Sequence, residues 1–173
     1  MFQPVQALTV NVDPGAMSGW ALLAPLQRQA VLAHGHLKPT LDAVQAVLLD
    51  ARNRATALGL PMVLIGETWG VGGYMTPAVA AGLERSWAPW ELLWESMNLG
   101  LALPASTVVR VHLATWRSKV LGVPVGSMSK AAAKKAAREY VRIRCGFDVT
   151  ADEAEAICIG FWGQHSVEVR AAI

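Results

Sequence analysis

Asp13 follows an apolar run, Ala7 to Val12, and stands immediately before Pro14 and Gly15 in the stretch VDPGAMSGW. The run reads as a buried strand and Pro-Gly as a sharp turn. Gly19 to Ala24 reads as a second strand returning antiparallel beside the first. A lone carboxylate at the rim of a sheet, on a bent backbone, suits a metal ligand, although Asp before Pro-Gly also serves as a plain turn former. Glu67 closes another apolar run, Met62 to Glu67, whose unbroken hydrophobicity is that of a central strand covered on both faces. If these two strands are parallel neighbours, Asp13 and Glu67 meet at one end of the sheet. Adjacent carboxylates repel, and one pKa rises unless a cation lies between them; hard divalent ions such as magnesium take oxygen ligands of this kind.

Two further acids lie near the end of the chain. Thr150 and Glu153 match a capping box, which gives Glu153 a structural task. Asp152 and Glu155, three positions apart, project from one helical face. Around Glu155 the residues Ala154, Ala156, Ile157, Cys158 and Ile159 are small or apolar, which suggests a helix buried against the sheet. Charge is distributed unevenly. Residues 1 to 100 carry five Lys/Arg against seven Asp/Glu, whereas residues 110 to 144 carry nine Lys/Arg against Glu139 alone. This basic segment, with Lys119, Lys130 and Lys134 among its cations, is the footprint expected of phosphate-backbone binding. In the loop TWGVGGYM, Thr68 to Met75, Trp69 and Tyr74 sit among glycines. Such aromatic faces suit stacking on an unpaired base, a contact of about 1–3 kcal/mol, and Trp69 equally suits packing under the next helix.

The elements that must position these groups are legible in outline. Three strands, Ala7 to Val12, Gly19 to Ala24 and Ala30 to Leu37, form a meander. Thr40 caps a helix that Gly59 ends after Leu58, and the Met62 to Glu67 strand follows. A helical stretch from Pro77 to Leu101, broken or bent near Pro89, precedes a strand Thr107 to Val111. Helices His112 to Leu121, Ser127 to Ile143 and Thr150 to Gly163 close the chain, giving a mixed α/β sheet. Trp87, Trp90 and Trp94, with Leu83 one turn earlier, recur at the helical spacing of a core stripe.

Composition is that of one soluble domain over residues 1–173, long enough to bury roughly 70% of its unfolded surface. Only Cys145 and Cys158 are present, without a CxxC pair. With no signal peptide apparent, a reduced cytoplasmic protein without disulfide or zinc is expected. No apolar run approaches the roughly 20 residues that span a bilayer. His34, His36, His112 and His165 show no metal-ligand spacing and read as surface or structural.

VDPGAMSGW, LIGE and DEAEAICIG, in that order, resemble the RuvC family of Holliday junction resolvases within the RNase H-like superfamily, over nearly the whole chain. The resemblance implies an RNase H-like mixed five-stranded sheet with helices on both faces. It puts the family's metal-binding acids on Asp13, Glu67, Asp152 and Glu155. Lys130, in SMSK, falls where the family places a functional lysine, and Arg117 falls near a second basic position. The implied chemistry is endonucleolytic hydrolysis by two Mg2+ ions, with Mn2+ able to substitute, making paired nicks in four-way junctions or other branched DNA and leaving 5′ phosphates. A symmetric homodimer is implied too, with the Trp-bearing helix as its natural contact, and so is a bacterial or, for a viral member, host cytoplasm. Glu155 departs from the family's usual Asp, and the Trp content is unusual for it. Two other classes compete: a branched-DNA-binding module of the same fold that has lost catalysis, and an actin-like or sugar-kinase phosphotransferase, which needs a second domain and a second glycine-rich phosphate loop.

Overall fold

The computed structural model describes residues 5–25, 30–68, 76–98, 108–124, 127–171 and 173. Strands β1 (Leu8–Asp13), β2 (Ser18–Leu23) and β3 (Val31–Leu37) form the expected antiparallel meander. Helix α1 (Leu41–Leu58) runs from the Thr40 cap to Gly59, which takes the left-handed conformation at φ 64°. It leads to β4 (Met62–Thr68), parallel to β1, and β5 (Val108–His112) is parallel to β4. The sheet order is β3-β2-β1-β4-β5.

Strand alternation divides the core in two. Leu8, Val10, Val12, Leu22 and Leu64 face one way, onto α1 and α2 (Pro77–Asn98). Ala21, Leu23, Val63 and Ile65 face the other way, onto α5 (Ala151–Gly163), against which α4 (Lys130–Cys145) also packs. Because side chains on a strand change face at every residue, Asp13 and Glu67 fall on the α5 side.

Trp87, Trp90 and Trp94 are buried in the α1/α2 layer. Trp87 packs directly on Gly66 of β4: a Cβ at Gly66 would come within 2.2 Å of its ring. Its indole N–H donates to Glu91 Oε2 at 3.0 Å, and the Arg110 guanidinium sits 4.4 Å from the ring centre. The stripe is therefore core, turned away from any partner.

Several boundaries differ from the sequence expectation. Helix α2 continues across Pro89 instead of breaking there; the inward-facing tryptophans on both sides of Pro89 hold the two halves to one layer. The expected Ser127 start of the basic helix moves to Lys130, because Ser129 is the residue whose hydroxyl accepts from Ala132 N–H, at 3.2 Å. The stretch after β5 is α3 (Leu113–Trp116) running into a π turn, Arg117–Leu121, with His112 as the cap. A short α6 (Val167–Ala171) follows α5 and was not legible. Thr107 and residues 99–101, assigned to a strand and a helix from sequence, lie outside the described residues. No described helix is long and apolar enough to cross a membrane.

Trp87→Ala is expected to destabilise the protein by about 3–5 kcal/mol, since it empties a fully buried position behind β4. A lowered urea midpoint would register that loss.

Candidate functional site

Asp13 ends β1 opposite Gly19 of β2 and one step beyond the Val12–Gly66 pair with β4. Gly19 is what lets a helix join it. A Cβ there would stand 2.0 Å from the Asp152 carbonyl oxygen and 2.9 Å from Glu153 N, so glycine alone allows the first turn of α5 to lie directly on β2. That turn is fixed by the expected capping box: Thr150 Oγ1 accepts from Glu153 N–H at 3.4 Å, and Thr150 N–H donates to Glu153 Oε2 at 2.8 Å. His34, stacked on Phe147 with ring centres 5.1 Å apart, places Nδ1 3.2 Å from Glu153 Oε1. His34 and Glu153 thus hold the helix end in place.

Asp152 and Glu155 consequently point at Asp13, and one carboxylate oxygen from each of the three lies within 4.8 Å of the others. Glu67 lines the same cleft, but its Oε2 accepts the Trp116 indole N–H at 2.8 Å, and it lies outside this tight group. Burial, reinforced by the charge of Glu155, pushes the Glu67 carboxyl up to about 7, against the lowering effect of the Trp116 bond, Arg117 and Lys130. Asp13 is also raised well above its ordinary value, by burial first and then by the charges of Glu155 and Glu67; Lys134 pulls it down.

The basic segment meets these acids directly. Arg117, from the π turn, bonds Glu155 Oε1. Lys134, on α4, places Nζ 2.5 Å from Asp152 Oδ1 and 3.6 Å from Glu155 Oε2. Burial works against the Lys134 charge, but the bond to Asp152 and the nearby carboxylates outweigh it and hold the ammonium above its ordinary pKa. Lys130, exposed at the start of α4, lines the same cleft of about 750 Å3. Lys119 lines a different cavity of about 410 Å3 with Tyr140, Arg144, Phe161 and His165. Trp69 and Tyr74 lie outside the described residues.

Sequence reasoning passed over the roles of Trp116, Gly19, Met17 and Leu113: Trp116 immediately precedes Arg117 yet carries no motif, Gly19 looked like an ordinary strand residue, and Met17 and Leu113 form apolar walls of the cleft. Leu83, expected in the tryptophan stripe, lines the cleft too. Gly19 had a signal, being the residue across the turn from Asp13.

The donor set of Asp13, Asp152 and Glu155 fits a hard divalent cation. Around magnesium, oxygens at about 2.1 Å place opposite ligands about 4.2 Å apart, close to the span of this group. The cleft can therefore do metal-assisted chemistry on an anionic substrate, with Lys130 exposed at its wall and Arg117 and Lys134 paired to its acids.

Among solved structures, the chain is similar to RuvC of Thermus thermophilus in complex with Holliday junction substrate, with a TM-score of 0.63 and 16% identity, over 95% of this chain and 96% of that one. A second Thermus thermophilus RuvC structure matches with a TM-score of 0.58 and 16% identity, over 90% of this chain and 94% of that one. No protein-family model matches, and neither does any curated protein. At this identity the likeness establishes the fold: the chain has the mixed α/β architecture of RuvC, as the resemblance implied.

Two outcomes are expected of the site. Gly19→Ala drives a methyl into the α5 backbone, costs about 1–3 kcal/mol by overpacking and weakens divalent-ion binding; thermal melts and a metal titration measure both. In metal-free protein, the stability contributed by the raised Glu67 carboxyl is fully present below pH 4.5 and is lost as pH rises from there to about 7, because over that range only the folded state retains the proton. Urea midpoints across this range are expected to fall for the parent and to fall less for Glu67→Gln.

Proposed function

We propose that this chain, with the fold of RuvC, is a divalent-metal-dependent endonuclease that nicks branched DNA, the four-way junction foremost. The observation that carries the reading is the convergence of Asp13, Asp152 and Glu155 within 4.8 Å in one cleft that Arg117, Lys130 and Lys134 also line. The similarity in fold to a RuvC bound to Holliday junction substrate supports it.

Asp13, Asp152 and Glu155 would hold the metal, with Glu67 at its border; we assign Mg2+, as two ions, with Mn2+ as a substitute. A divalent ion held there supplies Lewis acidity toward a phosphoryl oxygen and lowers the pKa of water. The remaining work belongs to the chain. Asp13, raised in pKa, would give up its proton to become a ligand, while Glu67, also raised, borders the site. Arg117 and Lys130 orient the phosphodiester, Arg117 through a planar fork suited to two phosphate oxygens. Water then adds to phosphorus, the 3′ oxygen departs with a proton, and a 5′ phosphate remains.

Lys119, with the exposed cations of α4, would carry a neighbouring DNA arm. Trp69 and Tyr74 are proposed to stack at the opened junction. Paired nicks in a two-fold symmetric junction call for a homodimer. Since the tryptophans of α2 are buried, any contact through α2 must use its outer face, where Leu92 is exposed. The site of action would be the cytoplasm.

The test is a labelled four-way junction, splayed arm and linear duplex, each with and without Mg2+. Symmetric nicks confined to the junction and dependent on Mg2+ are expected. Asp13→Asn and Asp152→Asn are each expected to lower nicking by about 100-fold or more while leaving junction binding in place. Undiminished cleavage by both variants would overturn the assignment.

A further inference from the structure

Glu155 is almost wholly buried, and both of its carboxylate oxygens are engaged: Oε1 by Arg117 and Oε2, at 3.6 Å, by Lys134. The same Lys134 Nζ lies 2.5 Å from Asp152 Oδ1. Two of the three acids that converge for a metal are thus already paired with cations of the chain itself. A dication gathered by Asp13, Asp152 and Glu155 would lie beside the Lys134 ammonium that now contacts Asp152 and Glu155, and positive charges at such close range repel, so metal entry drives Lys134 off.

The two cations come from different elements, the π turn and α4, and the cleft they line is the one that would admit the substrate. Lys134 is tethered by a flexible stem, and about a third of its side chain is exposed, so it has somewhere to go. An incoming phosphate offers it a new anionic partner.

Resting on the nuclease reading, we propose that Lys134 is a built-in counter-ion that occupies the metal's place in the free protein and is drawn away by the DNA phosphate, so that metal loading is coupled to substrate binding. Arg117 seconds it at Glu155. Lys134 is a positioning residue in this scheme: it acts through Asp152 and Glu155, keeping the three converging carboxylates together without metal and releasing them when DNA arrives. By linkage, DNA then strengthens metal binding by the same factor as metal strengthens DNA binding. No bond is made or broken; one cation replaces another.

The test counts free Mn2+ by electron paramagnetic resonance during titration of the full chain without DNA. Lys134→Met is expected to bind Mn2+ about tenfold more tightly than the parent, and Lys134→Arg, which retains the charge, to bind as the parent does. Lys134→Gln gives a second neutral side chain, and a gain of affinity cannot arise from misfolding. Affinity in Lys134→Met and Lys134→Gln that is equal to or weaker than the parent's overturns the proposal. A parent that binds Mn2+ yet leaves junction DNA uncut sinks the nuclease reading alone. Failure of parent and neutral variants alike to bind Mn2+ overturns both.

Discussion

Helix α5 lies closer to the sheet than ordinary side chains would allow, and the geometry of the cleft follows from that approach. Every residue from Glu153 to Gly163 is buried. A Cβ at Gly160 would meet Asn11 Nδ2 and a Leu23 methyl at 2.7 Å, and one at Gly163 would meet Ile65 Cδ1 at 2.4 Å. Gly19 provides the matching gap on the strand side. Asn11, buried beneath, donates to Thr9 and to the Ala21 carbonyl, tying β1 to β2 under the helix. With the helix axis fixed at three glycine contacts, Asp152 and Glu155 are held relative to Asp13 within the tolerance a metal centre needs.

Such closeness concentrates negative charge where water is scarce. Desolvation favours protonated acids, and Asp13 and Glu67 follow that rule. Asp152 gains from its place in the first turn of a helix, where the backbone dipole favours an anion. Arg117 and Lys134 supply full charges of the opposite sign. Protonation favoured by burial, the helix dipole and the tethered cations each remove part of the repulsion among these acids.

Much of this was legible in the sequence, for identifiable reasons. The meander, the parallel β1–β4 pair and the shared face of Asp13 and Glu67 follow from hydrophobic runs of strand length and from the two-residue period of a strand. The capping box located the start of α5 to the residue. What could not be read depended on contacts between distant segments. Trp116 matters because of Glu67, 49 positions earlier, and Lys134 turned out to be a partner of the acids, where charge alone marked it as a solvated DNA contact. At Pro89 the sequence left a break or a bend open, and the helix runs on across it with buried tryptophans on both sides.

The π turn from Arg117 to Leu121 accommodates an extra residue within a helical path. Trp116 and Arg117, consecutive in the chain, both reach acids of the cleft, one touching Glu67 and the other Glu155. That turn fixes a phase. Removing a single residue downstream of Arg117 would let the segment tighten into α-helical pitch and shift the point at which the chain leaves the turn. Homologous chains that keep this reach are thus constrained in the length of the segment as much as in its composition, and an alignment gap there would mark a cleft wired differently.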